Sequence, residues 1–83
     1  MKTIFDANYR KLIGWLIAER KFKNLTQSQV AEKLGYPHQS YISKIESFER
    51  KLDVAEYVKL CQVLDVNPHE GIDILLKPAS RHF

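Results

Sequence analysis

The chain has a single cysteine, Cys61, so no disulfide can form within it. It has no run of about 18 or more apolar residues, the length a membrane-spanning helix needs. Its first residues, MKTIFDANYRK, hold no long apolar stretch of the secretory-signal kind. These absences together point to the cytoplasm. There are only three glycines, and Gly14, Gly35 and Gly71 are too scattered to make a phosphate-cradling loop. No Asn-Gly or Asp-Gly pair is present, and no segment alternates with period two for long enough to be a strand. His38, His69 and His82 have no metal-ligand spacing with one another or with Cys61, so neither a metal nor a cofactor is expected. The serines at 28, 40, 43 and 47 fit no nucleophile elbow or triad. With no catalytic constellation, the chain does not read as an enzyme.

What is present suits one small helical domain. The 83 residues are 45% apolar, too many for a disordered chain. A core of this size is adequate but marginal, and association with a second copy would help it. The net charge of +3 is unevenly spread. Residues 1–51 carry ten Lys/Arg against five Asp/Glu, and residues 52–83 carry three against five. The basic N-terminal part suggests a polyanionic partner.

A first helix is expected from about Asp6 to Lys23, with Tyr9, Leu12, Ile13, Leu16 and Ile17 at helical period. Phe5 and Trp15 widen this stripe, and Phe22 either closes the core or lies exposed. Thr26 then marks a second helix. Gln29 stands three residues on, as in a capping box, and Leu25 and Val30 are placed as a hydrophobic staple. Val30, Ala31 and Leu34 form its apolar face, and Gly35 stops it, because glycine tolerates the left-handed conformation of a helix end. Pro37 suits the first turn of a third helix that runs to about Ser47, with Ile42 and Ile45 inward. Its outward residues, Gln39, Ser40, Ser43 and Lys44, are small, polar or positive. Asp53 and Glu56 cap a fourth helix, with Leu52 and Tyr57 as its staple and with Tyr57, Val58, Leu60, Cys61 and Leu64 apolar. Asn67 and Pro68 open a fifth, carrying Ile72, Leu75 and Leu76 and ending near Lys77 and Pro78. The expected fold is an all-α, compact five-helix bundle. Residues 1–76 form its domain, with residues 77–83 a frayed tail.

The strings LTQSQVAEKLG, QSYISKIE and ERKLD, taken together, resemble the phage repressor and Cro type, or XRE-like, helix-turn-helix family. The resemblance spans about residues 6 to 76. It implies a lambda-repressor-like domain that binds operator DNA as a dimer, laying the second motif helix in the major groove. It also implies roles for particular residues. Gln27 matches a glutamine that contacts a phosphate, where the helix dipole helps. Gln39 and Ser40 match base-reading positions at the start of the recognition helix, and Ser43 and Lys44 match those one turn on. Arg50 and Lys51 fall in the loop that meets the DNA backbone. Arg20 and Glu46 match an ion pair that pins the motif to the first helix. One departure stands out. Gly35 and Glu46 are eleven positions apart, one more than the family usually has, and the extra residue lies in the Tyr36-Pro37-His38 region.

The residue chemistry suits that assignment, since Gln can pair with adenine, Lys with guanine, and Ser is permissive. The plain alternative is a solvated helix face. Tyr41 either reaches the DNA or packs on the second helix, and His38 either contacts DNA or caps the third. Cys61 reads as a buried structural thiol. Val66, Ile72, Leu75 and Leu76 offer more apolar surface than a terminal helix needs for inward packing, and they are the expected homodimer surface. The functional expectation is a sequence-specific, DNA-binding transcriptional regulator of an inverted-repeat operator. The rival is a protein-interaction module of the same fold, such as an antitoxin or polymerase-binding adaptor.

Overall fold

A computed structural model describes residues 6–77. They form α1 (Ala7–Phe22), α2 (Gln27–Leu34), α3 (Ser40–Glu46), α4 (Val54–Leu64) and α5 (Pro68–Leu76). Among the described residues there is no strand. Of the expected tail, residues 77–83, only Lys77 is described, as the C-cap of α5 with its carbonyl accepting from the Asn8 amide at 2.7 Å. Residues 78–83, and Phe5 at the other terminus, lie outside the described residues.

The helix starts follow from capping chemistry. Asp6 accepts from the backbone of Asn8 and Tyr9. Thr26 with Gln29, and Asp53 with Glu56, make complete capping boxes, so in each case two orphan N–H groups are satisfied reciprocally. Asn67 accepts from His69 ahead of Pro68.

The helix ends share a second device. After α1, α2, α3 and α4 one residue turns left-handed: Asn24, Gly35, Phe48 and Asp65. The next amide then reaches back five residues, from Leu25 to Arg20, Tyr36 to Ala31, Glu49 to Lys44 and Val66 to Cys61. This closes the helix by satisfying its last carbonyls. Only one of the four residues is glycine. Phe48, at φ 65°, is a bulky side chain where such a backbone costs about 1–2 kcal/mol. Its ring packs against the core and lies under the Arg10 guanidinium, 4.6 Å from the ring centroid.

The core joins all five helices. Tyr9, Leu12, Ile13 and Leu16 of α1 meet Val30 and Ala31 of α2, Ile42 and Ile45 of α3, and Tyr57, Leu60, Cys61 and Leu64 of α4. Helix α1 packs on α3 and α5, α2 on α3 and α4, and α4 on α5. Phe22 lies exposed, as does Val58, which the helical period had placed on the apolar face of α4. Val58 points outward because Tyr57, Leu60, Cys61 and Leu64 already fill the inward stripe. On α5 the buried residue is Gly71, with Ile74 half-buried, while Ile72, Leu75 and Leu76 are exposed.

Candidate nucleic-acid interface

Helices α2 and α3 pack against each other across a turn of five residues, Gly35 to Gln39. The third helix begins later than Pro37 suggests. Pro37 stands three residues before the first helical residue, Ser40, and Gln39 is the N-cap. The Tyr36-Pro37-His38 segment therefore lies in the turn, and α3 is a short, seven-residue helix. Gln39 makes no side-chain capping bond, so its amide is not consumed by the helix start.

The outward face of α3 and its flanks bring several of the sequence-selected residues together. Gln39, His38 and Lys44 are exposed, and Ser40 and Ser43 are half-buried along the same helix. Ile42 and Ile45 point inward. The loop after α3 returns beside Lys44, because the amides of both Glu49 and Arg50 bond to the Lys44 carbonyl. Lys51 is exposed there. An open, polar hollow lined by Ser28, Glu32, Tyr36, Pro37, His38 and Gln39 lies beside the turn.

Two carboxylates brace this face from behind. Glu46 Oε2 accepts from Arg20 Nε at 2.7 Å, and its Oε1 accepts from Arg20 Nη2 at 3.0 Å. Arg20 also donates to the Leu25 carbonyl at 2.9 Å, tying α1 to the residue before the α2 cap. Gln27 donates its amide to Glu46 Oε1 at 2.9 Å. One of its two amide N–H groups is thus committed to the brace, which leaves the other, together with its backbone N–H at the start of α2, for an anion.

The second brace is Glu56, whose place in the sequence marks it only as a capping residue of α4. Tyr36 donates its hydroxyl to Glu56 Oε2 at 2.7 Å. Arg50 donates to Oε1 at 3.0 Å and forms an ion pair with Oε2. The Arg50 guanidinium also lies 5.9 Å from the centroid of the Tyr41 ring, and the rings of Tyr41 and Tyr36 are 5.1 Å apart. Tyr41 thus packs within this cluster while staying partly exposed. No spacing rule links residues 36, 41, 50 and 56. They meet because the turn, the helix and the loop fold onto the start of α4.

Burial, and then the bond to Glu56, push the Tyr36 hydroxyl up to about 12. Burial also raises the Tyr57 hydroxyl and the Cys61 thiol, which keeps Cys61 protonated and unreactive at neutral pH. All three hold their protons in the folded chain at a pH where the unfolded chain has lost them. Their contribution is complete below the ordinary thiol and phenol values of 9.0 and 10.0 and is lost as pH rises through the folded values. The urea midpoint is therefore expected to be lower at alkaline pH, above about 10, than at about pH 8. The Tyr36→Phe variant should show a smaller alkaline decline than the parent chain.

Among the described residues no cluster of His, Cys, Asp or Glu could hold a metal ion. No helix there is long and apolar enough to cross a membrane.

Two packed helices joined by a five-residue turn, the second braced from behind and presenting a polar face, define a helix-turn-helix protein. A helix-turn-helix family model matches residues 16–70. The chain is also similar to a solved structure, an XRE-family like protein from Pseudomonas syringae pv. tomato str. DC3000. The two are 37% identical with a TM-score of 0.78, over 88% of each chain. No curated protein matches. The chain belongs to the XRE family of helix-turn-helix proteins. Its members are DNA-binding regulators and not typically enzymes, and double-stranded DNA is the partner the family implies.

Proposed function

We propose that the protein is a sequence-specific transcriptional regulator that binds an inverted-repeat operator as a homodimer, with α3 in the major groove. The observation that carries this reading is the outward face of α3. Gln39 and Lys44 stand exposed, with Ser40 and Ser43 between them, on a helix held from behind by Glu46 and Glu56. Gln39 and Lys44 supply base contacts, adenine and guanine being the natural partners of amide and ammonium. Ser40, Ser43 and His38 fill in around them. Phosphates meet the N-terminus of α2 at Gln27 and the ammonium of Lys51 in the loop.

The dimer reading is supported by α5. Leu76 is 72% exposed, Ile72 and Leu75 are each about 40% exposed, and Val66 is half-buried nearby. Ile72 and Leu75 also line an apolar groove of about 350 Å³ with Leu52, Val54 and Tyr57. Burying such surface is worth about 25 cal/mol per Å². A twofold dimer through this end would set two α3 helices about 34 Å apart, one turn of DNA.

Selection from random duplexes, followed by binding over a salt series, tests the reading. A selected inverted repeat is expected, with log affinity falling steeply as log salt rises. Failure to bind any duplex at low salt would overturn it. Gln39→Ala should weaken binding to the selected site by about 1–3 kcal/mol and leave mixed-sequence binding largely intact. Lys51→Ala should weaken binding to all sequences and reduce the salt slope by about 1. Sedimentation of the free protein measures the dimer, and Leu76→Glu should shift it towards monomer.

A further inference from the structure

We propose that Glu56 is a positioning residue that sets DNA specificity, by holding the two ends of the recognition helix on one carboxylate and keeping Arg50 from the DNA backbone. This rests on the DNA-binding reading above. Tyr36 precedes α3 and Arg50 follows it, yet both donate to Glu56. Arg50 also donates to the Lys51 carbonyl at 3.1 Å. Its guanidinium is thus shared among a carboxylate, a carbonyl and the Tyr41 ring. Yet its backbone lies beside Lys44 on the reading face, bonded to the Lys44 carbonyl. An unpaired arginine there would contact any phosphate, whatever the sequence, and so would raise affinity for all DNA without adding discrimination. Glu56 withholds that charge. The same carboxylate keeps the turn and the loop in fixed relation, so the base contacts of Gln39 and Lys44 stay in register.

Glu56→Gln tests this because it removes the charge and preserves the fold. Glutamine at the third helical position completes the capping box of α2, where Gln29 bonds the Thr26 amide, so it can serve α4 in the same way. Binding to a mixed-sequence duplex and to the selected operator is measured by fluorescence anisotropy over a salt series, with cooperative melting as the folding check. Mixed-sequence binding is expected to strengthen on the order of tenfold at low salt, with a slope steeper by about 0.9, the signature of one more neutralised phosphate. The ratio of operator to mixed-sequence affinity should fall correspondingly.

A residue of purely structural importance would weaken both kinds of binding instead. Two comparisons isolate the cause. Glu49→Gln makes the same change in net charge, in the loop beside Arg50, at an exposed carboxylate bonded to Ser47 and not to Arg50. It should leave the slope near that of the parent chain. The double variant Glu56→Gln/Arg50→Gln should return the slope to the parent value. An unchanged or weaker mixed-sequence affinity in Glu56→Gln, or an equal gain in Glu49→Gln, overturns the proposal. If the parent chain binds no duplex at all, it is the DNA-binding reading that fails.

Discussion

Replacing Glu46 by alanine is expected to destabilise the protein by roughly 3 kcal/mol, the lower end of the range for breaking a buried ion pair. The lower end applies because the side chains of Arg20 and Glu46 are still 12% and 16% exposed, so water partly solvates what is left. The loss has three parts. Arg20 loses both carboxylate bonds and keeps only the Leu25 carbonyl. Gln27 loses its acceptor. The link between α1 and the end of α3 disappears with them. For a domain of this size the melting temperature should fall on the order of 10–20 °C. Glu46→Gln should cost less, since one oxygen can still accept from Arg20. A loss below about 1 kcal/mol in Glu46→Ala would show that the pair behaves as an ordinary surface ion pair, and would remove its role as the brace of α3.

Gly71→Val is expected to destabilise the protein by about 3 kcal/mol, at the upper end of overpacking effects. A Cβ at this position would stand 2.2 Å from the Tyr57 hydroxyl, 2.8 Å from Leu12 Cδ1 and 2.9 Å from Trp15 Cζ3. None of the three can easily yield. Tyr57 is tied to the Pro68 carbonyl, Leu12 is in the core and Trp15 packs against it. Helix α5 would have to lift from α1. Gly71→Ala carries the decisive sign. In an open helix Ala is favoured over Gly by about 1 kcal/mol, so crowding is shown if Ala destabilises here. A stabilised Gly71→Ala would mean that α5 shifts freely. Because α5 also carries Ile72, Leu75 and Leu76, the valine variant should weaken self-association along with folding, as sedimentation would register.

Much of the fold was legible in the residues. Thr26, Gln29, Asp53, Glu56, Asn67 and Pro68 announce helix starts, because capping needs particular side chains at fixed offsets. The stripes of α1, α2 and α4 follow from helical period, and Gly35 marks a stop that needs a left-handed residue. The ends of α1 and α3 fall within a residue of the expected Lys23 and Ser47, but the left-handed residues that close three of the helices are not legible. Asn24, Phe48 and Asp65 take the same left-handed backbone without being glycine, and for Phe48 the surrounding packing and Arg10 make the conformation tolerable. Helix α3 starts at Ser40, later than Pro37 suggests, since proline permits a helix start and does not require one.

The candidate interface divides along the same line. The polar run from Gln39 to Lys44 was visible as an unusual helix face, because it depends on residue type and helical spacing within one segment. The bond from Gln27 to Glu46, the gathering of Tyr36, Tyr41 and Arg50 around Glu56, and the crowding at Gly71 were not visible. Each joins residues from separate elements, with no periodicity to announce the meeting. By itself the sequence determined five helices, their caps, an all-α bundle and the polar outward positions of α3, since these are local properties of side chains and backbone. Only the tertiary structure decided which charges are neutralised and which remain free to meet DNA, because pairing depends on where the helices bring distant side chains together.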